Sequence, residues 1–232
     1  MRLFTLSPRL RAAARWLDAD AHLADIGCDH GRLPIYAAAR LGLPSVIACD
    51  IRPVPLSRAE KNCRLYGVQD KVELRLGDGL APVSPEECTH ITICGMGGDT
   101  IAAILAAAPW TKEGKHTLIL QPETSAHKLR RFLFENGYAV LDERAVQDTN
   151  RVYTLLLVRG GAEPFKPDIL DEYASPALRA RHDADAQAYL ARVRASLLSR
   201  MKGEVPGSEA YRALDEAQKA LERNNDGKSL AD

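Results

Sequence analysis

The chain has 232 residues, enough for one sizeable domain or one domain with a small appendage. Its 46% hydrophobic and 27% charged content implies a packed core and excludes a disordered chain. A formal net charge of zero excludes a globally basic nucleic-acid binder, while a local basic face remains open.

Taken in chain order, "LSPRLRAAARWL" predicts a helix with Ser7 as N-cap and Pro8 in its first position. "HLADIG" reads as a buried strand, and "RLPIYAAARLG" as a helix with Pro34 in its first turn and Gly42 at its end. "SVIACDI" is a second apolar strand, and "PLSRAEKNCRLYG" a helix closing on Gly67. "KVELRLGDG" alternates polar residues as an edge strand does, and "HITICGMGG" is a further strand. "DTIAAILAAA" is an apolar helix with Asp99 as N-cap, "TLILQP" a strand stopped by Pro122, and "SAHKLRRFLFENG" an amphipathic helix ending at Gly137. No helix fits between "YAVLDERAVQ" and "RVYTLLLVRG", so the two pair as an antiparallel hairpin across "DTN".

Repeated β-α units demand a parallel sheet with helices on both faces, and the terminal hairpin adds one reversed strand. The expected fold class is therefore α/β, a seven-stranded Rossmann-like sheet with its last strand antiparallel. "GGAEPFKPDI" reads as a linker. Beyond it, apolar residues recur at helical spacing from Pro176 to Met201 and again at Tyr211, Leu214, Ala217 and Leu221, separated by "KGEVPGS". These runs predict a small C-terminal helical hairpin, coiled-coil-like, with a disordered end at "NNDGKSLAD". The expected division is 1–160 for the sheet domain and 161–232 for the hairpin.

None of the five cysteines, Cys28, Cys49, Cys63, Cys88 and Cys94, forms a C-x-x-C pair, so no zinc site is expected. Cys49 and Cys94 lie in apolar runs and read as core thiols. Free thiols, no apolar run of membrane-spanning length and no signal-like N-terminal segment lead to the expectation of a soluble cytoplasmic protein.

"LADIGCDHGRLP" joins the first strand to its helix with the spacing G-x-x-x-G. A dinucleotide fingerprint needs G-x-G-x-x-G, and Asp29 would repel a pyrophosphate. A P-loop is excluded by the missing G-K-[ST]. A ligand cationic at sulfur, with a free amino group, would instead welcome a carboxylate, and S-adenosylmethionine is such a ligand. Asp50 ends the second strand, where related folds place an acid on ribose hydroxyls, and Asp78 in "GDGL" follows the third. In "CGMGGD" the glycines lower the side-chain bulk beside a flat substrate, with Met96 as a soft contact.

Together "SPRLRAAARWL", "ADIGCDHGRLP", "GDGL", "ITICGMGG" and "LILQP" resemble the motifs of the bacterial tRNA adenine-22 N1-methyltransferases, class I enzymes with a C-terminal helical hairpin. That resemblance implies S-adenosylmethionine as cofactor and tRNA as partner. It places Asp25, Gly27 and Asp29 around the methionine moiety, with Cys28, His30 and Gly31 completing the turn. Asp50 and Ile51 hold the adenosine, and Asp78 and Gly79 its adenine. Gly95 and Met96 border the cofactor, with Gly97 and Gly98 on the substrate side.

Adenine N1 carries an in-plane lone pair and needs no base to create the nucleophile, so His30 reads as a turn residue. The product base is cationic. Asp29 is the catalytic candidate, accepting from the adenine N6 amine and offsetting that charge; a purely cofactor-binding role is the alternative. For phosphate contacts the candidates are Arg2, Arg9, Arg11 and Arg15 before Asp18, and the cluster His127, Lys128, Arg130 and Arg131. A small-molecule methyltransferase and a non-enzymatic RNA-binding module with a degenerate cofactor site remain open beside this reading, as does the oligomeric state.

Overall fold

The computed structural model describes residues 4–226. Seven strands form one sheet in the order β3-β2-β1-β4-β5-β7-β6. They are β1 (His22–Ile26), β2 (Ser45–Asp50), β3 (Val72–Leu76), β4 (His90–Gly97), β5 (Thr117–Thr124), β6 (Tyr138–Asp148) and β7 (Arg151–Gly160). The ladders from β3 through β5 are parallel, and β7 runs antiparallel to both its neighbours. The reversed strand, the edge position of β3 and the β6–β7 hairpin all follow the sequence expectation. Thr149, at φ 54, turns the hairpin.

Helices α1 (Pro8–Ala14), α2 (Arg32–Tyr36), α3 (Pro53–Tyr66), α4 (Gly98–Ala107) and α5 (Ala126–Glu135) cover the sheet. Successive strand residues point to opposite faces, so the apolar runs split between two cores. Leu23, Val46 and Ala48 pack with Ile35 and Ala59 under α2 and α3, whereas Ala24, Ile26 and Ile47 pack with Ile101, Leu105 and Leu129 under α4 and α5. Ser7 caps α1 as expected, its Oγ accepting from the Leu10 amide at 3.4 Å. After Tyr36 the helix widens into a π turn, Ala37–Leu41, that Gly42 ends at φ 72.

Several local expectations are corrected. β5 does not stop at Pro122 but runs to Thr124; its pairing with β7 ends at Leu120, so the missing proline N–H breaks no bond on that side. Gly97, not Asp99, is the N-cap of α4, and the Asp99 carboxylate turns instead to Lys128. The run from Pro176 to Met201 is broken: α7 (Pro176–Arg179) ends, and Asp183 caps a new helix, α8 (Ala184–Met201), by accepting from the Ala186 amide at 3.0 Å. A short helix, α6 (Ile169–Tyr173), begins where the linker was expected to end. The last helix, α9 (Glu209–Asp226), takes in Asn224, Asn225 and Asp226 from the segment expected to be disordered; the remainder of that segment, like Arg2, lies outside the described residues.

Helices α8 and α9 form the expected pair, with Arg194 bonded to Glu222. Their apolar seam, Leu190, Val193, Leu197, Leu214, Ala217 and Leu221, extends onto Ala145 of β6. Beneath it lies the pair Arg130–Glu143, both side chains fully buried. Arg130 also donates to the Glu172 carbonyl at 2.9 Å and to Tyr189 Oη at 3.1 Å, and Thr154 donates to Glu143. Arg130 is therefore not on a basic surface. Its guanidinium is consumed in joining α5, β6, α6 and α8.

Candidate active site

The strand order reverses between β1 and β4, and crevices open at such a point beyond the C-terminal ends of parallel strands. A cavity of about 670 Å³ lies there, lined by residues from the ends of β1, β2, β3, β4 and β5 and by Arg9 and Leu10 of α1. No cluster of potential metal ligands occurs among the described residues.

The turn after β1 is tied to β2. The amides of Gly27 and Cys28 both donate to the Cys49 carbonyl, at 2.8 and 2.9 Å, and the Asp29 amide donates to Asp50 Oδ2 at 3.2 Å. Three successive N–H groups are thus directed to β2, so the turn does not form the nest of free amides that a pyrophosphate needs. Gly27 adopts φ +76, which a side chain would strain, and a Cβ there would meet the Met96 methyl, so the β1 turn and the β4 turn meet closely. Asp29 itself adopts φ 49, a conformation aspartate tolerates, and its side chain is 60% exposed at the cavity mouth. His30 Nε2 stands 3.5 Å from its carboxylate.

Asp25 forms the buried floor. Thr92 Oγ1 donates to it at 2.5 Å, and no cationic side chain pairs with it among the described residues. Burial pushes its carboxyl up to about 7; the Thr92 hydrogen bond opposes that rise and the charge of Asp50 adds to it. Asp50 is also buried, but accepts from the amides of Asp29 and Arg52. Beside it Ile51 is 60% exposed, an apolar surface on the cavity, which Asp78 and Gly79 also line. A buried acid without a cation, next to a glycine cradle and an exposed apolar wall, fits a ligand with positive charge at one end and a flat ring at the other.

Two assignments are corrected here. Gly31 does not line the cavity; it starts α2 at φ 72 and lets that helix approach Ala59 of α3. Gly97 and Gly98 do not line it either: a Cβ on Gly98 would strike the Ser125 carbonyl, so this glycine serves the close approach of α4 to the loop before α5. Thr100 and Ile104 of α4 take the place expected for them.

Residues 6–156 match the methyltransferase domain family. A Bacillus subtilis tRNA (adenine(22)-N(1))-methyltransferase is 36% identical over 161 residues, 69% of this chain and 68% of that one. The chain belongs to the tRNA (adenine-22-N1)-methyltransferase family. A solved Bacillus subtilis m1A22 tRNA methyltransferase superposes with a TM-score of 0.81 at 28% identity, covering 96% of this chain and 99% of that one. A Streptococcus pneumoniae relative solved in complex with S-adenosyl-L-methionine gives 0.78 at 27% identity, over 95% and 99%.

In this member of the family the cavity wall at the end of β5 holds residues that sequence reasoning passed over. Gln121, 1% exposed on β5, accepts from the Gly95 amide at 3.1 Å and from Arg9 Nη1 at 3.2 Å. Arg9 also bonds to Glu123, donates to Asp148 Oδ2 at 2.9 Å and lies 4.5 Å above the Tyr153 ring. Two carboxylates hold this one guanidinium, so Arg9 is part of the cavity wall and not a free phosphate ligand. Arg11 and Arg15 are exposed and remain outside the cavity. "LILQPET" carried the signal for Gln121 and Glu123: polar residues at the end of a buried parallel strand. Cys28 is buried at the turn, and burial pushes its thiol up, which disfavours the thiolate. Cys94, expected in the core, reaches the cavity wall and is only partly buried.

Proposed function

We propose that this protein transfers a methyl group from S-adenosylmethionine to N1 of an adenine in tRNA, with adenine 22 as the target named for its relatives. The observation that carries this reading over a small-molecule methyltransferase is the superposition on a tRNA methyltransferase along 96% of the chain, which takes in the C-terminal helices. No helix among the described residues is long and apolar enough to cross a membrane, and a tRNA substrate implies action in the cytoplasm.

When bound, S-adenosylmethionine supplies an electrophilic methyl group on a sulfonium. Asp25 and Asp29 would meet the positive end of the ligand, whose charge would hold Asp25 ionised. Asp50 would receive the ribose hydroxyls on lone pairs not engaged with the two amides. Ile51 would offer an apolar surface to the cofactor adenine, and Asp78 would accept from its amine. The target adenine enters from the β4–β5 side, past Gly95 and Met96. Gln121 fixes the Gly95 amide and so the width of that entrance.

The adenine N1 lone pair is already available, so alignment is the main task, and alignment of this kind supplies up to roughly 7–11 kcal/mol. A carboxylate beside the base orients N6 and offsets the charge developing on the ring. Asp29, from the turn after β1, and Glu123, from β5, both line the cavity and are the two candidates for that role. Comparing Asp29→Asn with Glu123→Gln separates them. The variant at the base-binding carboxylate loses about 10²-fold in kcat with little change in cofactor affinity, while the other loses cofactor affinity or tRNA KM. Incubation of unmodified tRNA with the cofactor, followed by nucleoside digestion, yields 1-methyladenosine if the proposal holds; unmodified adenosine alone refutes it.

A further inference from the structure

The methyl-transfer cavity has a neighbour. Glu123 lines both that cavity and a second cleft of about 250 Å³, which opens between the start of α5 and one side of α8. Its walls are aromatic, with Tyr153 from β7, Tyr173 from α6 and Tyr189 from α8. His127 stacks on Tyr173 with ring centroids 4.9 Å apart and planes 14° apart.

The charges around it are unbalanced. Each nearby carboxylate already has a guanidinium: Glu123 holds Arg9, Glu143 holds Arg130, and Glu172 holds Arg131. Arg192 and Arg200 have no carboxylate partner among the described residues. Arg192 donates to the Val152 carbonyl at 2.8 Å, and Arg200 to Tyr173 Oη at 2.6 Å. With Ser196 they fall at i, i+4 and i+8, on one exposed face of α8. The same excess of positive charge is felt at His127, whose imidazole is pushed down first by burial and then by Arg200, Arg130 and Lys128, against Glu172.

A cationic cleft with aromatic walls suits an unpaired nucleotide, whose ring stacks and whose phosphate seeks arginine. The shared Glu123 makes the cleft adjoin the cavity, so a chain whose adenine fills the first can set its neighbouring nucleotide in the second. We propose that the cleft is a second nucleotide subsite, taking the residue that adjoins the target adenine in the tRNA, with its ring among Tyr153, Tyr189 and the His127–Tyr173 pair and its phosphate between Arg192 and Arg200. This rests on the tRNA reading above and adds to it a role for α8 in holding the tRNA beside the site of methylation.

The test uses the full chain with unmodified tRNA. Ser196→Glu adds a negative charge at the rim without removing any bond, and the double variant Arg192→Gln, Arg200→Gln removes two charges while keeping amide donors. Both should raise KM for tRNA by about tenfold and leave kcat and the cofactor dissociation constant within roughly twofold. The double variant should also lower the slope of log affinity against log salt by about one for each phosphate that is no longer held. Restoring charge with Arg192→Lys, Arg200→Lys should recover most of the salt slope. Unchanged KM and salt slope in both variants, with wild-type methylation intact, overturn the subsite alone. A wild-type protein that leaves tRNA unmethylated removes the parent reading, and the subsite with it.

Discussion

Asp25→Asn isolates the electrostatic design of the cavity, because the amide keeps the shape of the carboxylate and the Thr92 hydrogen bond while removing one buried charge. The Asp25 carboxyl is raised from 3.8 to about 7, so the folded chain holds this proton more tightly than the unfolded chain does. Its contribution to stability is therefore fully present below about pH 4 and is lost as pH rises toward 7. At roughly 1.4 kcal/mol per tenfold change, the ionised carboxylate costs the ligand-free protein up to about 4 kcal/mol above pH 7. Urea unfolding of both proteins without ligand should give similar stability near pH 4, and an Asp25→Asn variant more stable than wild type by a few kcal/mol near pH 8. Calorimetry should show the opposite order for the cofactor, with the variant binding at least about tenfold more weakly. Wild-type affinity should rise with pH up to about 7 and then level off, while that of the variant stays flat. A variant no more stable than wild type near pH 8, or one that binds the cofactor equally well, would refute the claim that a buried, uncompensated acid is held in place for a cationic ligand.

Four further outcomes follow from other parts of the molecule. Gly27→Ala places a methyl group at φ +76 against Met96; the backbone strain costs about 1 kcal/mol, and calorimetry should show a larger loss, that of cofactor binding, because Met96, which lines the cavity, must shift. Arg130→Met leaves Glu143 buried without its partner and should lower unfolding free energy by about 3–5 kcal/mol, with Arg130→Met, Glu143→Leu recovering much of it in denaturant titrations. Charge reversal at Arg11 and Arg15, which are exposed and have no carboxylate partner among the described residues, should weaken tRNA binding and flatten its salt dependence. The same change at Arg9 should instead disturb Gln121 and Glu123 and lower turnover.

The sheet was legible because its signals are local and repeated. Apolar strands ending in glycine or acid, helices capped by Ser7 or closed by Gly42 and Gly67, and a final pair of strands with no room for a helix leave few topologies open. Three acids of the cavity were legible for the same reason, since Asp25, Asp50 and Asp78 sit near, at or just beyond the ends of successive strands and all line it. What stayed hidden depends on partners far away in sequence. Arg130 looks like a surface cation beside Lys128 and Arg131 until Glu143 and Tyr189 are brought to it by β6 and α8. Arg9 looks free until Glu123 and Asp148, more than a hundred residues away, close around it. Gly98 resembles a substrate-facing glycine, yet the Ser125 carbonyl fills the space in front of it.

The most direct test of the whole account is methyl transfer measured on two tRNAs that differ only at nucleotide 22, one with adenine and one with guanine, using labelled S-adenosylmethionine. The account predicts one methyl group per molecule on the adenine substrate, recovered as 1-methyladenosine, and none on the guanine substrate. Equal labelling of the two, or none of either with a protein that binds the cofactor, would contradict it.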